Sequence, residues 1–135
     1  MTLSRRTLLA SAMLLAASAT TFATPSAFAA KPLVMGFSQV GAESEWRTAN
    51  TVSIKDAAKK DGVTLKFADA QQKQENQVKA LRSFIAQKVD VIAFSPVVES
   101  GWDTVLREAK AAKIPVILTD RAVNVADKSL YVTFI

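Results

Sequence analysis

Short apolar runs alternate with longer segments of helical period along the chain from residue 33 onward. The runs contain many β-branched residues and are bounded by polar or turn-forming residues, a pattern that is typical of strands. Five such runs predict strands at residues 33–37, 63–68, 90–94, 116–118 and 130–134. The run ending at residue 94 is apolar on both faces, as in parallel strands that are covered by helices.

The segments between the first four strands predict three helices, because apolar residues recur in them three and four positions apart. The predicted buried positions are Ile54, Ala57 and Ala58 in the first helix, Val78, Leu81 and Ile85 in the second, and Val105, Leu106, Ala109 and Ala112 in the third. Gly62 follows the first helix at a position where a left-handed residue often ends a helix. Ser100 and Asp103 predict a capping box at the start of the third helix.

This alternation predicts an α/β fold, a doubly wound parallel sheet with helices on both faces. The aromatic residues Phe84, Phe94 and Trp102 have helix-face or strand spacing, so we expect them in the core. No helix follows the last predicted strand, which would leave apolar surface and a sheet edge uncovered. We therefore expect a sheet that is incomplete at the C-terminus, and a chain that is the front part of a longer protein.

Residues 1–29 have the features of an export signal. Arg5 and Arg6 precede a mainly apolar run at residues 8–17, and small residues end the segment, which predicts cleavage after Ala29. The run is shorter than the roughly 20 apolar residues of a membrane-spanning helix. The sequence SRRTLL resembles a twin-arginine signal, although the general secretory route is also open. Residues 30–135 are then the exported domain.

Composition and charge narrow the possible functions. Loss of Arg5 and Arg6 with the signal leaves fifteen basic against twelve acidic residues, a net charge of +3, which is too small to indicate a nucleic-acid partner. The chain has no Cys and no His. It therefore offers no disulfide and no thiolate metal site, and it lacks the commonest general base and metal ligand. We predict neither a metal site nor a cofactor.

The most informative polar residues follow two of the predicted strands. In open α/β sheets ligands bind beyond the carboxyl ends of the strands, where parallel strands all leave the same edge. An indole ring covers the apolar face of a sugar, a carboxylate accepts from its hydroxyls, and a guanidinium donates to them in a fixed fork. Trp46, Arg47, Asp120 and Arg121 therefore form a candidate sugar site, to which Glu43 and Ser44 add hydroxyl-binding groups.

Structural roles are also open for these residues. Trp46 can pack under the next loop, and Asp120 with Arg121 can form only an ion pair at a strand end. Ser44 is well placed as the N-cap of the first helix, which is the role we favour for it. The polar run at residues 69–77 is interpreted as a solvated loop and helix start, although it too follows a strand and faces the same edge.

Nucleotide sites and nucleophile motifs receive little support. Gly36 and Gly41 do not have the G-x-G-x-x-G spacing of a dinucleotide site, and the chain has neither a P-loop nor a nucleophile elbow.

Several segments carry a family resemblance. They read GFSQVGAESEWR, DGVTLKFADAQQKQENQVKALRSFIAQKVDVIAFSPV and GWDTVLREAKAAKIPVILTDR. Together with the leader, they closely resemble the periplasmic galactofuranose-binding proteins of ABC importers, within the ribose-binding-protein-like family of type I periplasmic binding proteins. The resemblance extends from about residue 33 to residue 132.

The resemblance implies a periplasmic receptor of two lobes that closes on a monosaccharide and delivers it to an ABC transporter permease. It implies a protein that is not an enzyme, needs no cofactor and is a monomer at full length, with this chain as its truncated N-terminal lobe. The residues that match the sugar-lining segments are Glu43, Ser44, Glu45, Trp46, Arg47, Asp120 and Arg121. Glu45 is larger than the residue of relatives, and Lys88 stands where the family usually has a helix-ending glycine.

Two other functions compete with this one. The sugar-sensing core of repressor-like regulators has the same fold. Those regulators, however, carry a DNA-binding headpiece at the position where this chain has an export signal. A secreted carbohydrate-active enzyme would need carboxylate or lysine chemistry, since His and Cys are absent, and Glu43, Asp69 and Asp120 are the candidate carboxylates. Detection of the chain in the periplasm would exclude the first alternative, and recovery of a bound glycoside unchanged would exclude the second.

Export with loss of the leader is the first testable prediction. N-terminal sequencing of periplasmic material should begin at Ala30 or Lys31, because the small residues before them suit signal peptidase. Replacing Arg5 and Arg6 by Lys should block export only if the twin-arginine route is used. Recovery of exported protein that still begins at Met1 would contradict the prediction.

Overall fold

The order of strands and helices follows the alternation predicted from the sequence. The computed structural model describes residues 31–135, and the predicted signal at residues 1–29 lies outside them. The elements are β1 (Val34–Gln39), α1 (Glu45–Lys60), β2 (Thr64–Asp69), α2 (Gln74–Ala86), β3 (Val91–Phe94), α3 (Asp103–Ala111), β4 (Val116–Leu118), a 3-10 turn (Lys128–Leu130) and β5 (Thr133–Phe134).

The strands form one parallel sheet in the order β2-β1-β3-β4-β5. After β1 the chain runs toward β2, and after β3 it runs toward β4, in the opposite direction along the sheet. The connections that follow these two neighbouring strands therefore diverge. α1 packs on β2, whereas α2 packs on β1 and on α3. The predicted doubly wound α/β sheet is confirmed, and its switch point lies between β1 and β3.

The main core lies between the sheet and the two helices α2 and α3, which cover one of its faces. Phe94 of β3 and Trp102 before α3 are both fully buried, and their ring centroids are 4.9 Å apart. Phe84 of α2 packs against Gly36 of β1, where an added Cβ would lie 2.6 Å from the Phe84 ring. The predicted core positions of Phe84, Phe94 and Trp102 are confirmed, and α2 reaches the sheet because residue 36 has no side chain.

The predicted helix stripes are correct in part. Ala58, Leu81, Val105, Leu106 and Ala109 are buried, and Ile54, Val78 and Ile85 are partly buried. Ala57 and Ala112 are exposed, so these two predictions are wrong. Ala57 lies beside the contact line of α1, which buries only Ala58 among its alanines. Ala112 is the C-cap of α3, where the chain already turns away from the core.

The predicted capping box at Ser100 is also wrong. α3 begins at Asp103, and its N-cap is Trp102, whose side chain makes no capping hydrogen bond. The indole of Trp102 is buried and donates to the carbonyl of Val98 at 2.7 Å. The carbonyl of Ser100 instead accepts from Gln74 Nε2 at 2.6 Å. Burial of the large ring therefore sets the start of this helix.

The last strand is shorter than predicted. Residues 128–130 form a 3-10 turn, and Asp127 caps it by accepting from the amide of Ser129 at 3.0 Å. Leu130, which the sequence places in the strand, is buried against the main core. β5 pairs with β4 only through Thr133 and Phe134. No helix within residues 31–135 is long and apolar enough to cross a membrane.

All three helices end in a left-handed residue. Gly62, Lys88 and Lys113 have φ of 69°, 53° and 60°. After α2, the amide of Val89 donates to the carbonyl of Phe84 at 3.3 Å, and Lys88 donates to Ile85 at 3.0 Å. This is the Schellman arrangement, in which glycine is the usual left-handed residue. The predicted glycine-like position of Lys88 is confirmed, and the third helix repeats it with a second lysine.

Replacing either lysine by glycine should stabilise the domain. A left-handed conformation costs a non-glycine residue roughly 1 kcal/mol, so Lys88→Gly and Lys113→Gly should each raise the free energy of unfolding by about that amount. Urea denaturation measures the change. Lys79→Gly, at an exposed position inside α2, is the matched control and should lower stability by about 1 kcal/mol. Equal losses in all three variants would contradict the prediction.

Candidate functional site

Two segments meet at the carboxyl edge, the edge of the sheet where the parallel strands end. The segment from Glu43 to Arg47 joins β1 to α1, and Asp120 closely follows β4. Arg47 Nη2 lies 2.8 Å from Asp120 Oδ2. The predicted convergence of the two segments is therefore confirmed. We call Glu43, Trp46, Arg47 and Asp120 the Arg47 cluster.

The Arg47 guanidinium is the buried centre of this cluster. Its side chain is only 5% exposed. Nε donates to Glu43 Oε1 at 3.0 Å, and Nη2 pairs with Asp120. Nη1 is buried and has no hydrogen-bond partner among the described residues. A buried charge needs partners, and the two carboxylates supply them while leaving one donor nitrogen unpaired.

The first turn of α1 places the cluster. Ser44 has extended backbone angles, and its side chain accepts from the amide of Arg47 at 3.2 Å. Its predicted role as N-cap is confirmed. Because the cap fixes where the helix begins, it also fixes the directions of Trp46 and Arg47, which lie in that first turn.

Trp46 presents its ring to solvent. The residue is 54% exposed, and the Arg47 guanidinium carbon lies 4.8 Å from the ring centroid. Packing of this ring under the next loop is therefore ruled out. An exposed indole supported from behind by a cation is a flat apolar platform with one free face.

Asp120 is held in an unusual backbone conformation. Its φ is 65°, which is uncommon for a residue other than glycine, and its amide donates to the carbonyl of Ile135 at 2.8 Å. Its carboxylate is 2.8 Å from Arg47 but 3.7 Å from Arg121 Nε. The strongest partner of Asp120 is thus Arg47, so Asp120 and Arg121 are more than an ion pair at a strand end.

Arg121 and Glu45 lie at the margin of the cluster. Arg121 is about half exposed, and its Nη1 donates to the carbonyl of Val97 at 3.3 Å. Glu45 is exposed and lines a shallow depression at the start of α1, together with Glu43, Ser44 and Thr48. Glu45 thus borders the cluster through the depression that it shares with Glu43, and it has no bond to Arg47 or Asp120 among the described residues.

Gln77 is a buried polar residue that the sequence pattern does not predict. The polar run at residues 69–77 predicts a solvated loop and helix start, yet Gln77 is fully buried under the ends of β1 and β3. A signal was present, because Gln77 lies four residues before Leu81 and so on the apolar stripe of α2.

Within residues 31–135 there is no group of three or more carboxylates, histidines or cysteines that could hold a metal ion.

Comparison with known proteins gives a consistent result. A family model described as a periplasmic binding protein domain matches residues 35–135. The galactofuranose-binding protein YtfQ of Escherichia coli (strain K12) is 59% identical over 120 residues, which cover 89% of this chain and 38% of that protein.

Solved structures agree with this match. A Mycobacterium smegmatis protein in complex with β-D-fucofuranose is 68% identical with a TM-score of 0.75, over 76% of this chain and 34% of that one. The binding protein of the arabinose ABC transporter of Shewanella sp. ANA-3, bound to α- and β-L-arabinofuranose, is 61% identical with a TM-score of 0.74, over 75% and 33%. The chain thus spans between 33% and 38% of the length of these relatives.

Proposed function

Because the chain belongs to the periplasmic binding protein domain family, we propose that it binds a monosaccharide in its furanose form, galactofuranose in the first place, for import by an ABC transporter. The observation that carries this proposal is the half-exposed Trp46 ring backed by Arg47, with Asp120 beside it. Binding, not turnover, is the proposed activity.

The chemistry of the Arg47 cluster suits a sugar. The free face of Trp46 covers the apolar C–H surface of a sugar ring, where an indole packs well. Asp120 is 30% exposed and retains acceptor capacity beyond its bond to Arg47, so it accepts from sugar hydroxyls. The unpaired Nη1 of Arg47 gains a partner when a small shift of the side chain meets a ligand oxygen. Both groups are charged, which places their hydrogen bonds in the stronger class.

The furanose preference is supported by the relatives. One is named for galactofuranose, and the two crystallised relatives hold β-D-fucofuranose and L-arabinofuranose. All three sugars are five-membered rings, and all three proteins are at least 59% identical to this chain over the matched residues. Glu43, Ser44, Glu45, Trp46, Arg47, Asp120 and Arg121 are the proposed contacts or their immediate supports.

The wider arrangement is part of the same proposal. Residues 30–135 are one lobe of a two-lobed periplasmic receptor, residues 1–29 are its cleaved signal, and a membrane permease receives the sugar. The match to about 38% of the E. coli relative supports this division. Closure of two lobes around a ligand is the usual switch of such receptors.

A titration of the mature chain tests the proposal. One lobe supplies about half of the contacts of a closed site. A micromolar site has a binding free energy of roughly 8 kcal/mol, so about 4 kcal/mol should remain and the Kd should lie in the millimolar range. Methyl galactofuranoside and methyl galactopyranoside are the probes, since the methyl group locks the ring form. Trp46 fluorescence reports binding, and Trp102 is buried and should not respond.

The furanoside should saturate the signal and the pyranoside should bind at least about tenfold more weakly, a difference of about 1.4 kcal/mol. No saturable signal with either sugar would overturn the sugar-binding proposal. Equal binding of both would remove the furanose preference, and micromolar binding would show that this lobe carries most of the recognition.

Substitutions in the Arg47 cluster should weaken binding without unfolding the lobe. They are best measured by calorimetry in a chimera that continues this chain with the remainder of the E. coli relative. Trp46→Ala removes the platform, and Asp120→Asn removes a charge while keeping the shape. Each should raise the Kd about tenfold to a hundredfold, as expected for loss of about 1.5 to 3 kcal/mol.

Arg47→Lys is the finer test, because lysine keeps the charge but cannot bridge Glu43 and Asp120 with a planar fork. Arg82→Lys is the matched control, since Arg82 pairs with Glu108 on the exposed surface between α2 and α3. The first variant should bind more weakly and the second should bind normally. Unchanged affinity for Trp46→Ala and Asp120→Asn together would exclude this site.

A further inference from the structure

Gln77 joins three backbone groups at the switch point of the sheet. Its amide nitrogen donates to the carbonyls of Ser95 at 2.8 Å and Ser38 at 3.4 Å. Its amide oxygen accepts from the amide of Val97 at 2.9 Å. The side chain is fully buried, so water does not replace these bonds when they are lost.

The groups that Gln77 holds lie where two strands stop pairing. The amide of Ser95 donates to the carbonyl of Ser38 at 3.2 Å, and beyond this bond the chain leaves β1 and β3 in different directions. Polar backbone groups exposed by such a divergence need partners inside the protein. A glutamine reaches both strand ends because its amide both donates and accepts.

The segment held by Gln77 contacts the residues on both sides of Asp120. The hydroxyls of Ser95 and Thr119 are 2.9 Å apart, and Thr119 immediately precedes Asp120. The carbonyl of Val97 accepts from Arg121 Nη1, and Arg121 immediately follows Asp120. Ser95 and Val97 are also the partners in the two shortest hydrogen bonds of Gln77.

Asp120 needs such support because its backbone is left-handed, with a φ of 65°. Backbone strain persists only where the surroundings over-determine it. We propose that Gln77 is a positioning residue of the sugar site: it fixes Ser95 and Val97, against which Thr119 and Arg121 hold Asp120 toward Arg47. This inference rests on the proposed sugar-binding function.

Gln77→Met tests the inference, because methionine keeps the length of the side chain and removes all three hydrogen bonds. Gln74→Met is the matched control: it lies on the same helix and loses a bond to Ser100, farther along the same loop. Lys79→Gly is a second control, which lowers stability without touching the network. All variants are made in the mature 30–135 chain and checked by circular dichroism.

The first readout needs no ligand. Hydrogen exchange of the Val97 amide should become at least about tenfold faster in Gln77→Met and stay normal in Gln74→Met. In Lys79→Gly it should rise by no more than about fivefold, the effect of a global loss of about 1 kcal/mol. The amide resonances of Asp120 and Arg121 should shift in Gln77→Met alone. Unchanged exchange and resonances in a folded Gln77→Met would overturn the inference, whatever the protein binds.

The second readout is the Kd for methyl galactofuranoside, followed by NMR. It should rise about tenfold in Gln77→Met and stay within about twofold of wild type in Gln74→Met and Lys79→Gly. Faster Val97 exchange with a normal Kd would also overturn the positioning role. If wild type binds no furanoside, the proposed function fails, and the first readout decides the Gln77 link alone.

A second variant covers the case in which Gln77→Met does not fold. Ser95→Ala leaves the Gln77 bonds in place and removes only the hydroxyl that meets Thr119, which breaks the link between Gln77 and Asp120. Shifts at Asp120 and Arg121 and a rise in Kd are expected. A folded Ser95→Ala with wild-type resonances and affinity would contradict the inference as directly as the methionine variant.

Discussion

The buried guanidinium of Arg47 is the contact on which the candidate site depends. It joins the segment after β1, through Glu43, to the turn after β4, through Asp120. Ion pairs on protein surfaces contribute little, but the Arg47 side chain is almost fully buried and its two carboxylate partners are partly buried, so the guanidinium depends on both of them. The same group lies behind the exposed ring of Trp46. One side chain thus orients both the apolar and the charged part of the site.

The sheet topology gives this contact its surroundings. All the parallel strands end at the same edge of the sheet. The connections after β1 and β3 run in opposite directions there, which leaves a gap between them. The side-chain amide of Gln77 fills this gap and bonds the backbone groups of Ser95 and Val97. The polar backbone groups at this point are thereby satisfied, and the role that we infer for Gln77 is to give Asp120 a rigid support. The site therefore lies on strand ends and helix starts and not on a long mobile loop.

Left-handed backbone has two different origins in this domain. Lys88 and Lys113 are left-handed because helices end there, and their neighbours close Schellman bonds. Gln71, Gln72 and Asp120 are left-handed at the carboxyl edge, where no such helix ending explains it. A positive φ by itself therefore indicates no function. Its position relative to the site and its hydrogen-bond partners distinguish the two cases.

The sequence alone determined the order of the elements, the parallel α/β class, the aromatic core residues and the edge at which Trp46, Arg47 and Asp120 meet. These features follow from periodicity, which is a property of neighbouring residues. The tertiary structure decided what depends on distant partners: the start of α3 at the buried Trp102, the late start of β5, the exposure of Ala57, and the bonds of Arg47 and Gln77. A polar residue looks solvated in sequence until the groups that satisfy it are known, and folding alone brings those groups to it.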